Sequence, residues 1–168
     1  MSQHDPSCEG GCTCGQVRYR LQGKPLIVHC CHCRWCQRQT GTAFALNALF
    51  ETSQVDITQG RVENLDTASP SGRGQTIARC PDCKIAVWSH YFMGGLKERI
   101  SFIRVGTLDN PNLLPPDVHI YTSTKQPWVI LPPEDHAVEE FYDIKATWTP
   151  QAYERLLALT AEMKAANA

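Results

Sequence analysis

The sequence predicts a mainly β domain finished by one C-terminal helix. Three observations carry that prediction. Short runs in which apolar and polar residues alternate recur between residues 16 and 121, which is the period of a half-buried strand. Clusters of Pro, Gly, Ser and Asn separate those runs, as turns separate strands. Only the stretch after Thr149 has the three-to-four-residue spacing of an amphipathic helix.

The elements follow in order. Residues 1–10 are polar and read as a loose arm. Gln16-Val17-Arg18-Tyr19-Arg20-Leu21 alternates cleanly and makes the first strand, punctuated by Gly23 to Pro25. Leu26-Ile27-Val28 leads a second strand into a dense cysteine segment. Phe44 to Phe50, Gln54 to Thr58, Gln75 to Arg79, Lys84 to His90, Ile100 to Val105 and Val118 to Tyr121 are further strands. Ser69 to Gly74, Asp109-Asn110-Pro111 and Pro115-Pro116 are the turn clusters. Thr149 suits an N-cap and Pro150 the first helical position. Tyr153, Leu156, Leu157, Thr160 and Met163 then line one helical face, expected to dock on the sheets.

At 168 residues, 42% hydrophobic and 20% charged, the composition is that of one globular domain. There is no internal repeat and no sign of a second domain. A net charge of −1 gives no electrostatic case for nucleic acid or an anionic membrane. No apolar run approaches the roughly 20 residues that span a bilayer. MSQHDPSCEGG has neither a basic flank nor an apolar stretch, so a cytoplasmic location is expected. An oligomer is compatible with all of this.

Cysteine is the outlier, with nine residues at 8, 12, 14, 30, 31, 33, 36, 80 and 83. An odd count without a leader argues against a disulfide framework and for metal ligation. Cys12-x-Cys14 and Cys80-x-x-Cys83 together offer the four sulfurs of a closed structural zinc. Cys31-x-Cys33-x-x-Cys36 offers three ligands in one short segment, the pattern of a zinc with one position left for chemistry. If the strand continues through this segment, Cys31 and Cys33 face one way, Cys30 and His32 the other. Cys30 then reads as a small buried residue, and His32 as a loop support or a substrate contact. Two zinc ions per chain are therefore expected. Three thiolates around one Zn²⁺ leave a net negative charge, a weak Lewis acid that suits a soft thiol substrate. The alternative is that all seven sulfurs are structural, with His119 or His90 closing the second site.

GCTCGQVRYR, CHCRWCQRQTGTAF, CPDC, GTLDNP and HIYTSTKQPW, in that order, resemble the glutathione-dependent formaldehyde-activating (Gfa-like) family, to which centromere protein V is related. The resemblance runs over roughly residues 10–135, and it implies a zinc-binding domain over 11–135 with residues 136–168 as a C-terminal extension packed on it. It implies a β-tent fold of small antiparallel sheets around zinc. It also implies a structural zinc on Cys12, Cys14, Cys80 and Cys83, and a catalytic zinc on Cys31, Cys33 and Cys36. The implied activity is that of a carbon–sulfur lyase, joining glutathione and formaldehyde in S-(hydroxymethyl)glutathione. Two positions depart from the family: Lys84 stands where it has Gly after the CxxC, and Arg79 where it has an aromatic.

An anionic tripeptide needs cationic partners, and Arg34, Arg38, Lys125 and Arg73 are candidates. His119 can serve as acid or base near neutral pH or as a core histidine, Ser123 shares its motif, and Trp128 reads as packing. Gly41 and Phe44 are expected to shape the turn beyond the cysteines. Two functions compete: an enzyme acting on a small thiol such as glutathione, and a non-catalytic zinc-stabilised module binding a macromolecule.

Overall fold

A computed structural model describes residues 8–93 and 95–166. Among the described residues ten strands form two sheets. β1 (Cys8–Gly11), β2 (Arg18–Leu21) and β5 (Val55–Gln59) make a three-stranded antiparallel sheet in the order β1-β2-β5. The larger sheet also contains β3 (Ile27–Cys31), β4 (Ala45–Glu51), β6 (Glu63–Thr67), β7 (Gln75–Arg79), β8 (Ala86–Tyr91), β9 (Ile100–Arg104) and β10 (Val118–Ile120). Its order is β10-β3-β4-β9-β8-β7-β6, antiparallel except for the parallel β10–β3 pair. The helices are α1 (Arg34–Thr40), α2 (Ile144–Thr147) and α3 (Pro150–Ala166). The mainly β class with a C-terminal helix is therefore the observed one.

The alternation of β3, β4 and β9 divides the large sheet into two apolar faces. Val28, Ala48, Phe50 and Ile103 bury one face against Val17, Tyr19 and Leu21 of the small sheet. Ile27, Leu49 and Ile100 bury the other against Tyr142, Trp148, Ala152 and Leu156. Both faces are covered, so β3 is buried at all five positions.

The helix starts where expected: Thr149 Oγ1 accepts the Ala152 N–H at 3.2 Å, and Pro150 occupies its first position. Leu156 is buried, but Leu157 is exposed, the turn of the helix carrying it past the sheet. Arg155 fastens α3 to β4, donating from Nε to Glu51 Oε1 at 2.6 Å and from Nη2 to the Lys24 carbonyl at 2.9 Å. Among the described residues no helix is long and apolar enough to cross a membrane.

Two expectations need correction. The loose arm over 1–10 is contradicted at its end: Cys8 to Gly10 are strand, paired with Leu21 to Tyr19. The rest of that expectation, residues 1–7, lies outside the described residues. Glycine is required at position 10, because a Cβ there would lie 2.5 Å from Tyr19 Oη. Val118 to Tyr121 ends as strand at Ile120, and Tyr121 turns into the left-handed region at φ 57°.

Candidate metal centre

The first cluster sits where two turns meet. Cys12 and Cys14 lie between β1 and β2, where the Cys12 N–H reaches the Val17 carbonyl at 3.0 Å and the Val17 N–H returns to Cys12 Sγ at 3.2 Å. Cys80 follows β7, and Cys83 lies in the turn before β8. The four sulfurs lie within 4.8 Å of one another, with Cys12 to Cys14 at 3.5 Å and Cys14 to Cys80 at 3.7 Å. A tetrahedral zinc with sulfur at about 2.3 Å spaces its ligands about 3.8 Å apart, so the donor set fits. None of the described cysteines is in a disulfide.

Lys84, standing in place of the family's glycine, takes the conformation a glycine would take, at φ 60°. Its N–H reaches the Cys80 carbonyl at 3.1 Å, and its own carbonyl accepts from Arg79 Nη1 at 2.8 Å. The turn is kept, and the arginine that replaces an aromatic ties it off. The backbone N–H of Ile85 and that of Cys14 hold the Cys83 thiol down to about 6.

The second cluster is Cys31, Cys33 and Cys36. Cys31 ends β3; Cys33 caps α1 with φ −65° and ψ 151°, its sulfur accepting the Cys36 N–H at 3.4 Å. Gly41 closes α1 in the left-handed region at φ 68°. Buried Gln37 ties the helix down, its Nε2 donating to the His32 carbonyl at 2.6 Å and the Thr124 carbonyl at 2.9 Å. Contact with Cys31 and Cys36 lowers the Cys33 thiol to about 2, while contact with Cys33 and Cys36 pushes Cys31 up. The three sulfurs thus compete for one negative charge, and a cation among them lets all three ionise. Among the described residues no further His, Cys, Asp or Glu joins them.

Two residues missed in the sequence border this tripod. Arg104, on β9, is half-buried, bonded from Nη1 to Asn47 Oδ1 at 2.5 Å and from Nη2 to Gln39 Oε1. Burial pushes its guanidinium down, and the charges of Cys36 and Cys31 oppose that. Tyr121 packs on the same apolar cluster as Cys33 and Cys36, and burial, with Cys31 and Cys33 adding to it, raises its phenol.

The remaining expected residues scatter. His119 is not at the tripod: it faces Cys30 and His32 across the sheet, its Nδ1 3.0 Å from His32 Nε2. His90 Nδ1 meets the Ile100 carbonyl at 3.1 Å, so neither histidine closes the second site. Arg34 and Arg38 line an open groove of about 830 Å³ with Gln37, Gln126 and Trp128. The three cysteines do not line that groove. Trp128 is 72% exposed there rather than packed inside. Lys125 Nζ donates to the Val129 carbonyl at 2.6 Å, and Ser123 Oγ to Glu140 at 2.7 Å. Arg73 lies over the Phe92 ring, and Phe44 packs edge-on against His32.

The fold and these clusters define a mainly β protein whose cysteines and histidines converge in groups able to hold metal ions. The profile of the glutathione-dependent formaldehyde-activating enzyme family matches residues 7–124. That is more than two thirds of the chain, and the chain belongs to this family. No curated protein matches it. Among solved structures, the crystal structure of a Rhodobacter sphaeroides protein, a structural genomics target, is similar with a TM-score of 0.46 and 19% identity, covering 62% of this chain and 92% of that one.

Proposed function

We propose that the protein is a zinc-dependent enzyme of the carbon–sulfur lyase type, acting on adducts of glutathione or another small thiol with formaldehyde or a related aldehyde. The observation that carries this reading is the tripod of Cys31, Cys33 and Cys36, to which the described residues offer no fourth ligand. A zinc ion on these sulfurs would hold an incoming thiol as its thiolate and keep it nucleophilic near neutral pH. Arg104 offsets the negative charge that three cysteine thiolates bring into a buried place. Tyr121, kept protonated, supplies a hydroxyl that can donate to the aldehyde oxygen as the carbon–sulfur bond forms. Its left-handed backbone is the kind of local strain that accompanies functional positions. Arg34 and Arg38, on the helix that carries Cys36, are assigned to the carboxylates of the tripeptide. Lys125, bonded to backbone carbonyls, has no part in this assignment.

The test is a titration of glutathione into cobalt-substituted protein while the sulfur-to-metal absorption is followed, with Cys33→Ser as reference. Glutathione should perturb the spectrum of the parent and not of the variant, and S-(hydroxymethyl)glutathione formation should fall with the Cys33→Ser change. A spectrum that no small thiol moves would sink the enzyme reading. The second reading, a binding module, has one observation in its favour: Trp128 and Ile130 are 72% and 82% exposed, two places apart.

A further inference from the structure

We propose a third metal site, for Zn²⁺, formed by Cys30, His32 and His119 on the face of the large sheet opposite the tripod. The backbone places these residues together. Along β3 and its continuation, Cys30 and His32 point away from Cys31 and Cys33. The parallel pairing of β10 with β3 sets His119 directly beside Cys30. All three side chains are buried, His32 completely.

The ligand atoms converge. Cys30 Sγ, His32 Nε2 and His119 Nδ1 lie within 4.8 Å of one another, with sulfur to His32 Nε2 at 3.6 Å and nitrogen to nitrogen at 3.0 Å. A tetrahedral zinc would space such pairs about 3.5 and about 3.3 Å apart. Hydrogen bonding alone serves the group poorly. His32 Nε2 faces both a thiol and another imidazole nitrogen, yet it holds at most one proton. His32 Nδ1, on the other side of that ring, is buried with no partner and stays so with a cation on Nε2. A cation at the convergence point satisfies all three facing lone pairs at once.

The surroundings fit as well. His119 Nε2 lies 3.2 Å from Asp135 Oδ2, though not aligned as a hydrogen bond, and a carboxylate behind the ring is the usual companion of a ligating histidine. One thiolate, one carboxylate and one Zn²⁺ sum to zero, which a buried site tolerates. Lys125, whose Nζ donates to the Gln126 and Val129 carbonyls, places a positive charge within reach of His32 that opposes a cation there, a cost the Cys30 thiolate and the Asp135 carboxylate must outweigh. The fourth position falls to water or a small anion. The site would pin β10 and the 131–137 segment to the edge of β3, where strand pairing is only three residues long. It does not depend on whether the tripod is catalytic.

Zinc-saturated, desalted protein should contain three zinc ions per chain by elemental mass spectrometry. Its zinc K-edge absorption should include imidazole outer-shell scattering, which sites built from sulfur alone do not produce. His119→Gln should remove one equivalent together with the imidazole scattering, and should leave glutathione's effect on the cobalt spectrum in place. Cys33→Ser should remove a different equivalent and keep the imidazole scattering. Two equivalents without imidazole scattering in the parent protein overturn the site, and so does an unchanged metal count in His119→Gln. The absorption measurement needs no variant, so the proposal stays testable if a substitution prevents folding. Failure of the thiol titration alone would count against the tripod and not against this site.

Discussion

Cys80→Ser and Cys33→Ser each remove one sulfur, yet they should behave very differently. Cys80 is fully buried and its sulfur meets that of Cys14 across 66 positions of chain. Treated as a cross-link, a closure of that length stabilises by about 4 kcal/mol through the unfolded state alone. A zinc of this kind contributes on the order of 10 kcal/mol in all, against roughly 5–15 kcal/mol for a whole domain. Losing it should leave no cooperative unfolding transition. The tripod closes a loop of only a few residues, for which the same relation gives about 2 kcal/mol. Its segment is also held independently, by β3 pairing with β4 and by the Gln37 bonds. Cys33→Ser should therefore melt cooperatively, with a midpoint about 4–8 °C below the parent. Far-ultraviolet circular dichroism melts, with metal counted per chain, measure both. Two variants with the same melt would show that the division of labour between the clusters is wrong.

Other predictions concern the frame. Arg155→Leu leaves the buried Glu51 carboxylate unpaired and should destabilise by about 2–4 kcal/mol in urea unfolding, with Glu51→Gln in the same chain recovering part of it; no coupling between the two would refute the clamp. Lys84→Gly should stay within about 1 kcal/mol of the parent and Lys84→Val should lose about 1–2 kcal/mol, because only the left-handed backbone separates them. Arg104→Gln should weaken thiol binding in the cobalt assay more than it lowers the melting midpoint; the reverse order would make Arg104 merely a strut. The Arg18 guanidinium holds the Asp109 carboxyl below its ordinary range, so the pair's contribution is whole above the ordinary value near about pH 4 and fades as pH falls through the lowered one. Asp109→Asn should flatten that part of the acid limb slightly, the pair being exposed.

The sequence was most legible where the signal was local. Gln75 to Arg79, read as a strand between a Gly-rich turn and the CxxC, is β7 to the residue. Thr149-Pro150 begins α3 because a cap and a preset φ need no distant partner. Glu63-Asn64-Leu65-Asp66-Thr67 carries no apolar period and was missed, since this exposed edge strand exists through its pairing with β7. Seven-residue α1 was missed for a like reason: the Cys33 cap and Gln37's bonds to residues 32 and 124 hold it, more than its own periodicity. Cysteine groups read well because their ligands lie two or three positions apart. Arg104 and Tyr121 did not, being brought to the tripod by the register of β9 and by the turn after β10. For His119, the distant contact with Cys30 comes from a parallel pairing that no short-range pattern announces.

The four positions from Cys30 to Cys33 sit on a two-sided rail, the sulfur of Cys30 and the imidazole of His32 toward one face and the sulfurs of Cys31 and Cys33 toward the other. Loss or gain of a single codon there would turn every one of these side chains to the wrong side, emptying both sites in one event. Descent with change can therefore exchange letters in this stretch far more easily than it can alter the stretch's length, and relatives that differ in chemistry should still share its spacing.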